Sequence, residues 1–571
     1  MVAPKLKMRL GDLLVHEGII SNEQLMQALS SQKETGRKLG DTLIELNYLS
    51  ERQLLQFLAQ QLDVPFLDIA QQKISPNVAS LLPEVHARRL RALIIEDRGS
   101  SVLLGMSDPA DLSGLDQLER MLAPKRIELA VVMESQIFDA FDGLYRRTAE
   151  IESFASQLEE EYEQSSNFNL ATNFLDEGGD ATVGKLLQSV FEDAVQMRAS
   201  DIHIEPEELQ LRIRQRIDGV LQEKILKENK IASAMVLRLK LMAGLDISEK
   251  RVPQDGRFNL DISGHSIDVR MSTMPVQYGE SVVMRLLDQS AGLLSLEQTG
   301  MPEDIVKRIR LQINRPHGMV LVTGPTGSGK TTTLYAALSE LNEATKKIIT
   351  VEDPVEYRLP RINQVQVNAK IDLTFSSVLR TALRQDPDIM MVGEMRDQET
   401  VEIGLRGAIT GHLVLSTLHT NDAITSALRL IDMGAAGFLV GSALRAVVAQ
   451  RLVRRVCDSC SVDYQPDEQE VFWLQNLAGE QAKTAQYKQG KGCQSCQYTG
   501  YKGRVGVFEL LEMNEGMMSA LKRNDSESFS KLAKASPNFK PLANAAFDYA
   551  VAGLTTVEEV LRLVETIDIN E

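Results

Sequence analysis

Gly318-Met-Val-Leu-Val-Thr-Gly-Pro-Thr-Gly-Ser-Gly-Lys-Thr331 is the stretch that decides the fold. Its first six residues are an apolar run of strand length, and a helical pattern follows over 332–341. Strand, glycine-rich loop and helix in this order make a P-loop. Gly324, Pro325, Thr326, Gly327, Ser328 and Gly329 let consecutive backbone N–H groups turn toward phosphate oxygens, and the helix N-terminus adds its positive end. Lys330 then reaches the β- and γ-phosphates, and Thr331 ligates Mg²⁺ with Thr332 beside it. Taken alone, the loop establishes phosphate binding only.

Beyond Pro302, buried strands alternate with helices, the pattern of a parallel sheet with crossover helices. Ile389-Met-Met-Val392 ends in Gly393-Glu394, the strand at 347–351 leads into Glu352-Asp-Pro-Val-Glu356, and that at 413–416 leads to Thr417-Leu-His419. In such a sheet the carboxyl ends of the strands share one edge with the P-loop. Glu394 is placed there to polarise water or to hold Mg²⁺ through a water. Glu352 or Glu356 is placed to act as general base toward water attacking the γ-phosphate of ATP, and His419 to sense that phosphate. Acids follow buried strands by chance and a lone His is usually structural, so the combination carries the reading.

At 571 residues the chain exceeds one hydrophobic core, and several domains are expected. The fold class is α/β multidomain: a P-loop motor domain at 300–571, a small α/β domain at 181–290, and an N-terminal domain at 1–147 built of helical repeats (9–61) and an α/β part (65–145). Thr148 to Gly184 contains no Lys or Arg, which predicts a flexible acidic linker over 148–180, with a short helix as the alternative for part of it. The repeats are offset by 29 residues, Arg9-Leu-Gly-Asp12 matching Lys38-Leu-Gly-Asp41, and each contains a capping box, Ser21 with Gln24 and Ser50 with Gln53.

A net charge of −17 argues against a nucleic-acid polymer as partner, because phosphate-backbone binding depends on Lys and Arg displacing counterions. No apolar run approaches the roughly 18 residues of a transmembrane segment, and the start lacks the apolar core of a secretory signal, so a cytoplasmic protein is expected. All four cysteines form two Cys-x-x-Cys pairs, Cys457 with Cys460 and Cys493 with Cys496. Four thiolates at this spacing favour a closed structural Zn²⁺ site, a zinc module at 457–496 that staples an excursion of the motor domain.

The P-loop, the acids at 352–356, Asp388-Ile-Met-Met-Val-Gly-Glu394 and Thr410-Gly-His-Leu-Val-Leu-Ser-Thr-Leu-His-Thr420 together resemble the Walker A, Asp box, Walker B and His box of the type II secretion and type IV pilus ATPases. The likeness extends upstream through 199–206, Arg216-Ile-Asp-Gly219 and 250–256. It implies a RecA-like motor in a homo-hexamer, with ATP between the motor and the preceding domain, and hydrolysis driving an inner-membrane pilus platform protein. It further implies that Arg214, Arg216, Arg270 and Arg285 are candidates to complete the site, that Glu394 is the Walker B acid, and that Glu356 is the base with Glu352 beside it. Such proteins sit in the cytoplasm, peripherally attached to the inner membrane through the pilus machinery. Extension and secretion ATPases of this kind carry a zinc module and retraction ATPases lack it, which points to assembly.

The repeats resemble the cyclic di-GMP-binding N-terminal domain of MSHA-type pilus extension ATPases. The resemblance assigns the ligand to Arg9, Leu10, Gly11, Asp12, Leu25, Leu29 and Gln32 of one copy, and to Lys38, Leu39, Gly40, Asp41, Leu54, Leu58 and Gln61 of the other. The second copy departs with Lys38 for Arg and Asn47 for Gly18. A duplicated helical unit whose Leu face is simply core remains the structural alternative. The expected function is a pilus-assembly motor regulated by cyclic di-GMP; the alternative is a type II secretion ATPase whose N-terminal domain docks a protein.

Overall fold

The two repeats fold alike in the computed structural model, which describes residues 10–35, 39–70, 72–108, 111–145, 147–164, 179–262, 264–289 and 292–568. Each is a short helix, a turn and a longer helix: Leu10–His16 with Asn22–Thr35, then Leu39–Glu45 with Glu51–Leu62. Both capping boxes form. Gln24 N–H donates to Ser21 Oγ at 3.2 Å and Ser21 N–H to Gln24 Oε1 at 2.8 Å, while the Gln53 and Ser50 equivalents are 3.3 and 2.9 Å. The turns match too, because Asn47 (φ 56°) takes the left-handed conformation of Gly18 (φ 73°), and Asn tolerates that region better than most residues. Leu14, Leu25, Leu43, Leu54 and Phe57 make the shared core.

Next in the chain lies a three-stranded sheet, β1 (Ala92–Asp97), β2 (Ser101–Met106) and β3 (Arg126–Val131), with β1 antiparallel and β3 parallel to β2. Helices Leu112–Leu122 and Glu134–Leu144 cover it, and Leu93, Ile94, Leu104, Ile137 and Phe141 fill its core.

Over its first half the expected linker takes the helical alternative, in a helix of 17 residues. Thr148–Gln164 is a helix that buries Ile151, Ala155 and Leu158 against the helix Gly179–Gln196. Spacings of four and three give those residues one apolar stripe, which outweighs the acidic character of the other face. Residues 165–178 lie outside the described residues.

Helix Gly179–Gln196 and helix Ala232–Met242 pack against a six-stranded antiparallel sheet of order β6-β5-β4-β9-β8-β7. Its strands are β4 (Asp201–Pro206), β5 (Leu211–Ile217), β6 (Val220–Leu226), β7 (Gln254–Ile262), β8 (His265–Val276) and β9 (Gly279–Asp288). Alternation puts Ile202, Ile204, Leu211, Ile213, Val269 and Met284 inside, and Arg212, Arg214 and Arg216 on the opposite face of β5.

The last sheet has the order β12-β11-β13-β14-β10-β15-β18. Its strands are β10 (Gly318–Thr323), β11 (Ile348–Glu352), β12 (Ile362–Gln366), β13 (Ile389–Val392), β14 (Leu413–Leu418), β15 (Leu444–Val456) and β18 (Tyr501–Glu512). Every pairing is parallel except β15 with β18. β10 and β14 are buried at all six positions, as strands covered on both faces require. Between β15 and β18 the chain leaves the sheet as a hairpin, β16 (Ser461–Tyr464) and β17 (Tyr487–Gly490), flanked by the two cysteine pairs. Among the described residues, no helix is long and apolar enough to cross a membrane.

Candidate functional site

The P-loop joins β10 to the helix Lys330–Leu341. Gly324 (φ 148°), Gly327 (φ 80°) and Gly329 (φ 87°) all lie at positive φ. A Cβ on Gly329 would stand 3.0 Å from the amide of Gln450, so the loop has no room for a side chain there. Gln450, buried on β15, donates to Ser328 O at 2.6 Å and accepts from Thr333 Oγ1 at 2.8 Å, bracing the loop from the next strand. Lys330 is buried, with Nζ donating to Gly324 O at 2.8 Å and Pro325 O at 3.0 Å. Burial pulls its ammonium down to about 8, opposed by the nearby Glu394 carboxylate. Pro325, Thr326, Gly327, Thr331 and Thr332 are exposed, open to a phosphate chain.

Glu394, His419 and Lys330 converge at the strand ends. Glu394 pairs with Arg396 at 2.5 Å and lies 3.6 Å from His419 Nε2. Burial, then the charge of Lys330, lowers the proton affinity of His419, so its ring is neutral at physiological pH.

The two acids after β11 differ sharply. Glu352 is buried and accepts from Tyr335 Oη, from Thr350 Oγ1 at 2.5 Å and from Gln364 Nε2 at 3.2 Å. Its oxygens are already occupied by three donors. Tyr335, on the P-loop helix, also accepts the amide N–H of Glu356 at 3.2 Å. One buried hydroxyl thus ties the P-loop helix to the loop carrying Glu356. The Glu356 carboxylate faces the six-stranded sheet, where Arg270 pairs with it at 2.5 Å and also donates to Val355 O at 3.3 Å. Gln289 reaches Glu356 O at 3.1 Å.

Arg270 belongs to a row. Arg216 (β5), Asp201 (β4), Arg285 (β9), Arg270 (β8) and Arg257 (β7) are directly opposite one another across five strands, and so share one face. Arg285 binds Asp201 Oδ1 at 3.2 Å, Arg216 lies 3.7 Å from Oδ2 and donates to Gly219 O at 2.9 Å, and Arg214 pairs with Glu205 at 2.5 Å. The structure therefore brings Arg270 to the acidic loop and holds Arg214, Arg216 and Arg285 on partners within their own sheet. Gln450, Tyr335 and Arg257 carry no motif of their own.

The four cysteines are buried, unbridged, and have Sγ atoms within 4.8 Å of one another. Cys457–Cys493 and Cys460–Cys496 are 3.8 Å apart, and Cys493–Cys496 3.7 Å. A tetrahedron with zinc–sulfur bonds of about 2.3 Å has edges of about 3.8 Å, which these three distances match, so the group could hold zinc.

In the repeats, Leu25 and Leu54 are core residues under Gly11 and Gly40: a Cβ on Gly11 would come 2.6 Å from Leu25, and one on Gly40 2.9 Å from Leu54. The close approach these glycines permit is of helix to helix. Leu10, Leu29 and Gln32 stay half-buried, as do their equivalents Leu39, Leu58 and Gln61, while Asp12 is exposed. Arg9, Lys38 and the side chain of Asp41 lie outside the described residues.

Residues 176–562 match the family model described as type II/IV secretion system protein, and residues 62–151 match the MshEN domain. The type IV pilus assembly ATPase PilB of Myxococcus xanthus (strain DK1622) is 39% identical over 559 residues, covering 97% of this chain and 98% of that protein. Type II secretion system protein E of Dickeya dadantii (strain 3937) is 41% identical over 505 residues, covering 86% of this chain and 98% of that protein. A solved structure of MshE with cdg is 53% identical over 24% of this chain and 98% of its own, with a TM-score of 0.23.

Proposed function

The chain belongs to the type II/IV secretion system family of ATPases and hydrolyses ATP, and from that premise we propose a hexameric motor for type IV, MSHA-like pilus assembly that answers to cyclic di-GMP. The observation that supports a motor of this kind is the Arg270–Glu356 pair, which joins the six-stranded sheet to the acid loop beside the P-loop. Gly324 to Thr332 and Lys330 take the phosphates of ATP. Thr331, and Glu394 through a water, would hold Mg²⁺, which neutralises charge on the β- and γ-phosphates. Glu356, once parted from Arg270, accepts a proton from the attacking water, and the freed guanidinium turns to the transferred phosphoryl. Arg216 and Arg285 follow as Asp201 releases them. Each guanidinium stabilises charge that builds only in the transition state, so turnover waits for the domains to close. Neutral His419 donates a hydrogen bond toward the γ-phosphate side of Glu394. Glu352 supports this reading as the anchor beneath the loop, buried and engaged by three donors.

Zinc at Cys457, Cys460, Cys493 and Cys496 is structural in this account. Cyclic di-GMP has two guanines and two phosphates, and the repeats offer two equivalent half-buried faces, Leu10, Leu29 and Gln32 with Leu39, Leu58 and Gln61. The membrane platform protein is the partner on which the hexamer acts, which keeps the motor at the inner membrane.

Calorimetry of the full chain with cyclic di-GMP tests the regulatory half of this proposal. Saturable binding that is lost in Arg9→Ala is expected. No binding would favour the second reading, a type II secretion ATPase with a protein-docking N-terminal domain, to which the likeness to protein E lends support.

A further inference from the structure

The turn between Cys493 and Tyr498 meets the N-terminal domain. Gln494, buried, donates through Nε2 to Ile74 O at 2.9 Å. Ser495 Oγ donates to Asp139 Oδ2 at 2.9 Å, and Lys502 Nζ, from β18, donates to Asp139 Oδ1 at 2.5 Å and to Ser495 Oγ at 3.0 Å. Lys73 stands 5.9 Å from the centre of the Tyr498 ring. Gln494 to Lys502 thus presents a complementary surface to the helix Glu134–Leu144 and to Lys73 and Ile74 ahead of the helix Pro76–Ala79, and Gly143 faces Gln494 O without a side chain between.

The same segment touches the six-stranded domain. Gly503 N–H donates to Asp218 Oδ2 at 2.8 Å, and Gln497 Nε2 lies 3.5 Å from Met197 Sδ. A short stretch of the cysteine module is therefore in contact with both upstream domains.

What gives the turn its shape is sulfur. The amide N–H of Cys493 donates to Cys496 Sγ at 3.1 Å and that of Gly500 to the same atom at 3.3 Å. Gln497 (φ 51°) and Tyr498 (φ 63°) follow in the left-handed region, a conformation that side-chain-bearing residues hold only under constraint. A thiolate fixed by a metal keeps both N–H donors aimed inward and thereby presents Gln494 and Ser495 outward.

We infer that the four-cysteine module is the docking seat of the N-terminal domain in this chain, and that metal at the cysteines holds the seat in its docking shape. The second clause rests on the zinc reading above; the first does not. The module is thus more than a local staple: it is the surface through which a ligand-induced change in residues 10–145 reaches β15 and β18 of the motor sheet.

The test is amide hydrogen exchange on the full-length protein, comparing wild type, Asp139→Lys, Lys502→Asp and the double substitution, with metal content read by mass spectrometry. Each single change removes a charged hydrogen bond, and exchange at residues 134–144 and 493–502 is expected to quicken about tenfold in both segments, with the double substitution restoring protection. Equal exchange in all four proteins would overturn the docking seat. Chelation is expected to quicken both segments together while β15 stays protected. Quickening confined to 493–502 would overturn the metal's part in docking. Absence of metal from the purified protein would overturn the zinc reading, and the charge swap would still decide the seat.

Discussion

Lys330 shows how strongly the nucleotide site depends on its ligand. Burial leaves its ammonium at about 8 before phosphate arrives, and bound phosphate raises that value. The charged form is the binding form, so affinity is full about a unit or more below pH 8 and falls as pH rises through it. ATP is expected to bind about tenfold more weakly at pH 9 than at pH 7, with proton uptake on binding in the alkaline range. Titration calorimetry in buffers of different ionisation enthalpy checks both, and Lys330→Arg should flatten the profile. Tyr335 carries the second prediction at this scale. Tyr335→Phe removes the hydroxyl that joins Glu352 to the Glu356 amide, and kcat is expected to fall about tenfold or more while the ATP KM changes little, because a displaced loop harms alignment more than binding. A matched fall in affinity, read by steady-state phosphate release, would assign Tyr335 to nucleotide binding instead. The P-loop was fully legible from spacing, since its glycines and Lys330 are constrained by local backbone geometry. For Glu352 and Glu356 the residues alone left the base open and the resemblance gave Glu356; the contacts that set the two apart come from Tyr335, Gln364 and Arg270, which approach from other elements.

Elements were legible where their pattern is local. Both capping boxes and the β10 strand can be read from residue types at fixed offsets, and the 29-residue duplication reveals two equivalent helix pairs. Two features escaped for different reasons. The helix Thr148–Gln164 has an apolar stripe of only a few residues within an acidic run, so composition pointed to a linker while three buried side chains decided for a helix. β18, antiparallel to β15 at the sheet edge, breaks the parallel alternation, and nothing local to residues 501–512 shows which strand they pair with. At Gly11 and Gly40 a Cβ would meet the packed side chains of Leu25 and Leu54. Gly11→Val is therefore expected to destabilise the N-terminal helices by about 1–3 kcal/mol through overpacking, seen as an earlier first unfolding transition, while ATP turnover without cyclic di-GMP stays near wild type. An unchanged transition would show that the helices part to admit the side chain.

At the scale of the whole molecule, specific contacts link the three larger sheets, among them Asp139 with Lys502, Asp218 with Gly503, and Arg270 with Glu356. None of these pairs is close in sequence, so none could be read from it. The last is the one on which turnover depends in this account, since it holds the proposed base and the proposed phosphate-stabilising guanidinium on each other until ATP separates them. Loss of the four-cysteine cluster, as in Cys493→Ser, is expected to abolish metal content and to weaken both of the other links, with zinc stoichiometry as the readout. The decisive measurement is phosphate release by Arg270→Ala at saturating Mg-ATP, beside ATP affinity measured on the same protein. A rate reduced by about 10²-fold with ATP affinity within about threefold of wild type is the predicted result, the mark of an interaction made in the transition state; an undiminished rate would contradict a site completed by the preceding domain.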